Sequence, residues 1–486
     1  MKKWKTAIKC IFFVVIFAAL FLYVQEMLRD KWAEGEYNVT TKVKGFYGEE
    51  ENTLDVVFIG SSQMYADMAP AVLFHEYGIT SYDFCANEQP MWVSYYYIKE
   101  ALKHQEPKVI VLDVFTVYGE DYEEEGVTHI NLDDLPMSLN KIRAIRDSVP
   151  EGMRYSYYFP LAKYHNTWTD LYEGKAELAF YDERDPYKGY SPFVFAADYE
   201  EDAKAEVAAQ TALEPIPERA ETWLRKIIAL CEEENVPLVL IKTPNGNAER
   251  QKLYNSVEIL AKETGTPFLN MNVLLDGQAH INVLQAEKVS MMMGEYLISH
   301  YEFEDKRENP HYAQWAADAE LFYRQKAKCQ LVSAENFEEY IPLLADENYM
   351  VCISAKNNGK NSFSEEDITF LNHTLGLHCS LNENPEAPYT VILDGGNVIY
   401  ETGFTADGAY TENGGTDEFS AEINGLNVTV SSPGAIADLS ASILVNGTDF
   451  SMDYDGFNIA VYDKVLGEMF EMSAFDLNQD MNLVRK

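Results

Sequence analysis

Basic residues are scarce in this chain: 38 Lys and Arg stand against 79 Asp and Glu, for a formal charge of −41. Such a surface repels phosphate backbones and no local basic run offsets it, so nucleic acid is excluded as a partner. Cysteine is also thin. Cys10, Cys85, Cys231, Cys329, Cys352 and Cys379 are scattered, with no Cys-x-x-Cys pair, which argues against a disulfide scaffold and a cysteine zinc site. Cys352 and Cys379 are close enough in sequence to bridge, but two buried thiols are the simpler reading. No set of His, Asp and Glu has metal-ligand spacing, and no cofactor is expected.

The N-terminus is unlike the rest. Lys2, Lys3, Lys5 and Lys9 lead into an apolar run from Cys10 to Val24, about 15 residues, or about 18 if it begins at Ala7 and Lys9 snorkels, close to the least that spans a bilayer. A cleavable signal peptide is the competing reading. Against it, Phe21-Leu22-Tyr23-Val24 passes into Gln25-Glu26-Met27-Leu28-Arg29 with no small-x-small site, and Cys10 stands at the front of the run, where no lipoprotein cysteine would. Residues 1–29 are therefore expected to be a cytoplasmic stub and uncleaved single-pass anchor. The preceding lysines place the N-terminus inside and the bulk of the chain outside the cell membrane.

At 486 residues the chain is too long for one core. Residues 30–52 read as a connector. From 53 to 302 near-continuous apolar strands alternate with helical runs, the pattern of a parallel sheet covered on both faces. The strands are the run from Asp55 into Gly60, Ser81–Cys85, Lys108–Asp113, Pro237–Lys242 and Pro267–Asn270, and the loose segment 116–214 is an insertion over the carboxyl edge. A linker and helix follow over 303–328. Residues 329–486 turn to Gly, Asn, Thr and Ser around strands such as Tyr389–Leu393, Leu426–Val430 and Phe457–Tyr462, a second, β-rich, sandwich-like domain. Acidic runs at Glu49–Glu51, Glu123–Glu125 and Glu200–Asp202 are expected to be solvated surface.

The chemistry centres on Gly60-Ser61-Ser62, where a buried strand runs into a helix. A serine there has backbone N–H groups and a helix N-terminus beside it, which favours negative charge on a reacting oxygen; the plain alternative is a helix cap. His280 follows the last core strand and precedes the last helix, so it can face the same sheet edge. Lys242 ends a core strand at that edge and could meet substrate or pair with a carboxylate. His165 and Trp168 lie in the insertion and could line a carbohydrate subsite.

These residues resemble the SGNH (GDSL-like) hydrolases. Gly60-Ser61-Ser62 is similar to that family's first block, with Ser61 where aspartate is usual, and the Gly-Ser-Ser form resembles membrane-anchored relatives such as the teichoic-acid D-alanylation and alginate O-acetylation proteins. His280-Ile281-Asn282, then Gln285-Ala286-Glu287-Lys288, resembles the last block. The resemblance implies a flavodoxin-like three-layer α/β sandwich with a parallel sheet over about 50–302. It implies Ser62 as nucleophile, His280 as base, and the N–H groups of Ser62 and Ala86 as oxyanion donors, with Asn87 a substitute for the missing Gly-x-Asn-Asp asparagine; Ser61 and Asn282 would border the substrate. The family aspartate lies three before the histidine, where Gly277 stands. Asp276, four before, orients His280 across a bulge, or a Ser-His dyad works alone, or the site is inactive. The C-terminal region, through Gly456–Gly467, Ser473–Asp476 and Val351–Lys356, resembles the interleukin-like EMT inducer (ILEI) domain in permuted order and implies binding.

The expected activity is that of an esterase or O-acyltransferase on a cell-surface glycan or related polymer, with a membrane acyl-donor protein as partner if it transfers. The alternative is a catalytically degenerate surface protein that binds glycan or a partner.

Overall fold

The computed structural model describes residues 2–33, 35–122, 124–171, 174–198, 202–357, 361–402, 416–435 and 439–486. The chain divides into two compact units, one of residues 1–193 and 197–323, the other of 194–196 and 324–486.

The first unit opens with helix α1 (Lys2–Leu28), whose segment Trp4–Leu28 is long and apolar enough to cross a membrane. Residues 30–52 are not a free connector. Helix α2 (Thr40–Gly48) buries Val43 and Phe46, together with Val39, in the α/β core. The Phe46 ring stacks on Phe84 at 4.0 Å between centroids, so hydrophobic burial ties this segment down.

Five parallel strands follow: β1 (Val56–Ile59), β2 (Ser81–Asp83), β3 (Val109–Asp113), β4 (Leu238–Lys242) and β5 (Phe268–Asn270). Their order is β2-β1-β3-β4-β5, the doubly wound arrangement whose direction reverses between β1 and β3. Residues of β1, β3 and β4 are buried throughout, as strands covered on both faces must be. Helices α3 (Ser62–Asp67), α4 (Pro70–Tyr77) and α8 (Val283–His300) pack together, and α5 (Met91–His104) packs with α6 (Glu218–Glu233). Helix α7 (Ala248–Thr264) connects β4 to β5.

The segment 116–214 folds into short helices. Not all of it covers the carboxyl edge: Leu161–Tyr164 and Lys175–Ala179 pack on α1. Of the acidic runs, Glu49 is buried beside Lys188 at 3.3 Å, because its helix end is covered by the segment around 183–188. Glu123 and Glu200-Glu201 lie outside the described residues.

Helix α9 (Ala313–Ser333) passes from the first unit into the second. The second unit is not a simple sandwich. Its six-stranded antiparallel sheet carries Val351, Ile353, Val391 and Phe457 against Phe337 and helix α10 (Glu365–Leu375) on one face. Met350, Cys352, Ile392 and Ala460, on the other, pack against Val428, Val430 and Ile443 of a four-stranded sheet. This alternation is what a strand with both faces buried requires. Cys352 and Cys379 are free, buried thiols.

Gly60 ends β1 so close to β3 that a Cβ would lie 2.6 Å from Asp113 Cβ. Gly60→Ala is expected to lower stability by about 1–3 kcal/mol through overpacking. Equilibrium denaturation measures this, and an unchanged midpoint would show that the two strand ends separate freely.

Candidate active site

The turn after β1 is built by capping. Ser61 is the N-cap of α3; its Oγ accepts from Gln63 N at 3.2 Å and donates to Asp113 Oδ2 at 2.9 Å. Asp113 Oδ1 accepts from Phe115 N at 2.9 Å, so the carboxylate at the end of β3 organises both turns. Ser61 is thereby fully buried and does not face the cleft. Ser62 takes the first helical position, where backbone N–H groups lack intrahelical acceptors.

His280 meets Ser62 from the loop before α8, with Nε2 3.0 Å from Ser62 Oγ. Phe193 stacks on the imidazole at 5.0 Å with an interplanar angle of 4°, and Tyr37 packs edge-on at 5.6 Å. Burial among these rings pushes the His280 pKa below its ordinary value. The shift favours the neutral imidazole, and the 3.0 Å contact puts Nε2 within reach of the Ser62 hydroxyl proton.

Asp276 is exposed, and among the described residues its carboxylate makes no hydrogen bond or ion pair with His280; only its backbone carbonyl is engaged, by Gln285 Nε2 at 2.7 Å. Position 277 has no room for an aspartate either. A Cβ there would lie 2.4 Å from the Pro244 carbonyl carbon and 2.6 Å from Asn245 N. The loop is instead held through an amide: Gln63 Nε2 donates to the Ala279 carbonyl, and Gln63 Oε1 accepts from Lys242 Nζ at 3.1 Å.

Lys242 is fully buried and works from below the site, among Asp113 and Asp67. Burial pushes the lysine pKa down while both carboxylates oppose that shift, and burial raises Asp113 and Asp67 themselves. Lys242 Nζ itself donates to Gln63 Oε1 and to the Thr243 carbonyl, and so orders Gln63.

The other expected residues sort as follows. The Ala86 N–H donates to the Gly60 carbonyl at 3.2 Å, so it is not free to receive an oxyanion. Asn87 is half-buried; Tyr65 Oη donates to its Oδ1, which turns the amide nitrogen to the other side. Asn282 is buried as the N-cap of α8, accepting from Gln285 N at 3.1 Å, rather than bordering a cleft. His165 and Trp168 are exposed and do not line the cleft that holds Ser62.

That cleft has a volume of about 360 Å³. Besides Ser62, Gln63, Ala279 and His280 it is walled by Phe115, Tyr118, Asn245 and Arg250, with Glu88 at its edge. Arg250, in the first turn of α7, lies 4.2 Å over the Tyr118 ring and 5.2 Å over Phe115. Stacking covers the guanidinium face and leaves its N–H edge for hydrogen bonds. Sequence reasoning missed Phe193, Tyr37, Gln63 and Arg250. Only Gln63, next to the serine, carried a positional signal. Among the described residues no group of three or more His, Cys, Asp or Glu side chains is placed to hold a metal ion.

No family model matches the chain, and no curated protein matches it. Among solved structures it is similar to a protein assigned to the G-D-S-L lipolytic family from Desulfitobacterium hafniense DCB-2, with 12% identity and a TM-score of 0.27, covering 50% of this chain and 98% of that one.

With no carboxylate at its ring among the described residues, His280 should titrate below the ordinary imidazole value, followed by NMR of its imidazole protons. Because the folded pKa is depressed, protonation costs stability as pH falls, and the neutral ring persists through pH 7. A titration midpoint above 6.5 would reveal an acid orienting the ring after all.

Proposed function

We propose that the chain is a membrane-anchored, extracytoplasmic SGNH-type serine esterase or O-acyltransferase acting on acyl groups of a cell-surface glycan or related polymer. The reading rests on the 3.0 Å approach of Ser62 Oγ to a half-buried His280 at the switch point of a doubly wound sheet. His280 Nε2 takes the proton as Ser62 Oγ attacks the acyl carbonyl, then returns it to the leaving alkoxide. Water or an acceptor hydroxyl, activated by the same nitrogen, releases the acyl group. The Ser62 N–H and the Asn87 amide nitrogen are the oxyanion donors of this mechanism. No acid takes part: Gln63 and the Phe193 stack orient the histidine, giving a Ser-His dyad. The anchor is α1, oriented by its preceding lysines with the N-terminus in the cytoplasm. A transferase would draw acyl groups from a membrane donor protein, and the C-terminal β-rich unit, by its likeness to the ILEI pattern, would bind the polymer.

Hydrolysis of a chromogenic acetyl ester tests the reading. Ser62→Ala should lose about a thousandfold or more in kcat/KM, and His280→Ala about a hundred- to ten-thousandfold. Asp276→Asn should stay within about threefold of the wild type, the result that separates a dyad from a triad. Should Ser62→Ala leave hydrolysis and serine-directed labelling intact, the degenerate, glycan-binding reading takes its place.

Loss of the clamp is a separate test. Gln63→Leu should lower kcat about tenfold or more with KM nearly unchanged, since the residue acts through the Ala279 carbonyl that carries His280. A change confined to KM would instead make Gln63 a substrate contact.

A further inference from the structure

The clearest unexplained feature of the first unit is a set of large apolar side chains standing in the open. Phe159 is 58% exposed, Trp168 65%, Leu171 51% and Phe180 46%. A chain with 79 acidic residues covers its surface easily, so four such side chains within 22 positions of sequence are not a shortage of polar ones.

The segments that carry them pack on the end of α1 through Leu161–Tyr164 and Lys175–Ala179. The Phe180 ring stacks on Tyr23 of α1, 5.0 Å between centroids at 13°. Thr167 Oγ1 donates to the Leu28 carbonyl, and Lys44 Nζ bridges Glu26 of α1 at 3.1 Å to the Leu178 carbonyl at 3.1 Å. Below this, Arg29 is buried between Glu26 at 2.6 Å and Asp134 at 2.7 Å, while Thr40 Oγ1 donates to the other Asp134 oxygen. A buried guanidinium shared by two carboxylates fixes geometry, since removing any partner would strand a charge. The base of α1 is therefore clasped by the folded unit and does not swing on a loose tether.

We infer that residues 159–171 and 174–180 form a collar that rests in the headgroup region of the membrane crossed by α1. Its aromatic and aliphatic tips are what an interface takes from water, with tryptophan at headgroup level. The occupant is a lipid surface because the patch is continuous with the apolar span through the Tyr23–Phe180 stack. It is held by apolar insertion and not by charge, because a chain of −41 gains nothing from anionic lipid. Trp168 accordingly serves the membrane in place of a sugar subsite.

The full-length chain reconstituted in phosphatidylcholine bilayers, with and without bromine near the carbonyl end of the acyl chains, tests this by tryptophan fluorescence. Subtracting Trp168→Phe from wild type isolates the Trp168 signal, and Trp4→Phe isolates a residue at the far end of α1. Both signals should fall about twofold or more in brominated bilayers. If Trp4 is quenched while Trp168 is reached only by aqueous iodide, the collar is wrong and the span stands. If neither is quenched by bromine, α1 does not insert and the collar falls with it. A Trp168 signal that blue-shifts only at high protein concentration would assign the patch to a second copy of the chain.

Discussion

The candidate site depends on the close approach of Gly60 to Asp113. Because position 60 carries no side chain, the Asp113 carboxylate sits directly under the turn and takes the Ser61 hydroxyl at 2.9 Å. That bond spends Ser61 on structure and leaves Ser62, one residue on, to begin the helix facing the cleft. Two adjacent serines of equal chemistry are thus given different work by one hydrogen bond.

A second constraint lies beneath. Asp113, Lys242 and Asp67 are three fully buried ionisable groups, and the lysine opposes the rise that burial imposes on both carboxylates. Lys242 extends that network upward through Gln63 to the carbonyl preceding His280. The histidine is positioned by backbone and by ring stacking, and among the described residues no acid bonds its ring. An imidazole held in this way lacks the electrostatic help that an aspartate lends the charged form.

Strand and helix identities in the first unit were legible from periodicity. β1, β3 and β4 announce themselves as unbroken apolar runs, and the helical runs between them form helices such as Met91–His104 and Ala248–Thr264. Elsewhere local pattern misled. Residues 30–52 look polar enough for a connector, yet Val39, Val43 and Phe46 reach a core built by residues far along the chain. Glu49 reads as one of a solvated run until Lys188 arrives from 139 positions away to bury it. The second unit shows the same limit, because alternation reveals strands but does not reveal that one face of the sheet is covered by helices and the other by a second sheet.

Local pattern was enough for the inventory: an apolar segment long enough to span a membrane, a parallel-sheet α/β unit, a β-rich unit, and a serine and a histidine at the ends of core strands. These follow from local periodicity, which reports how each segment meets water. Tertiary structure alone decided which of those groups touch. Whether Ser61 or Ser62 faces His280, whether the Ala86 N–H is spent on Gly60, why position 277 must be glycine, and why Phe180 stacks on α1 are set by contacts between residues tens to hundreds of positions apart. A one-dimensional pattern does not encode those distances; packing does.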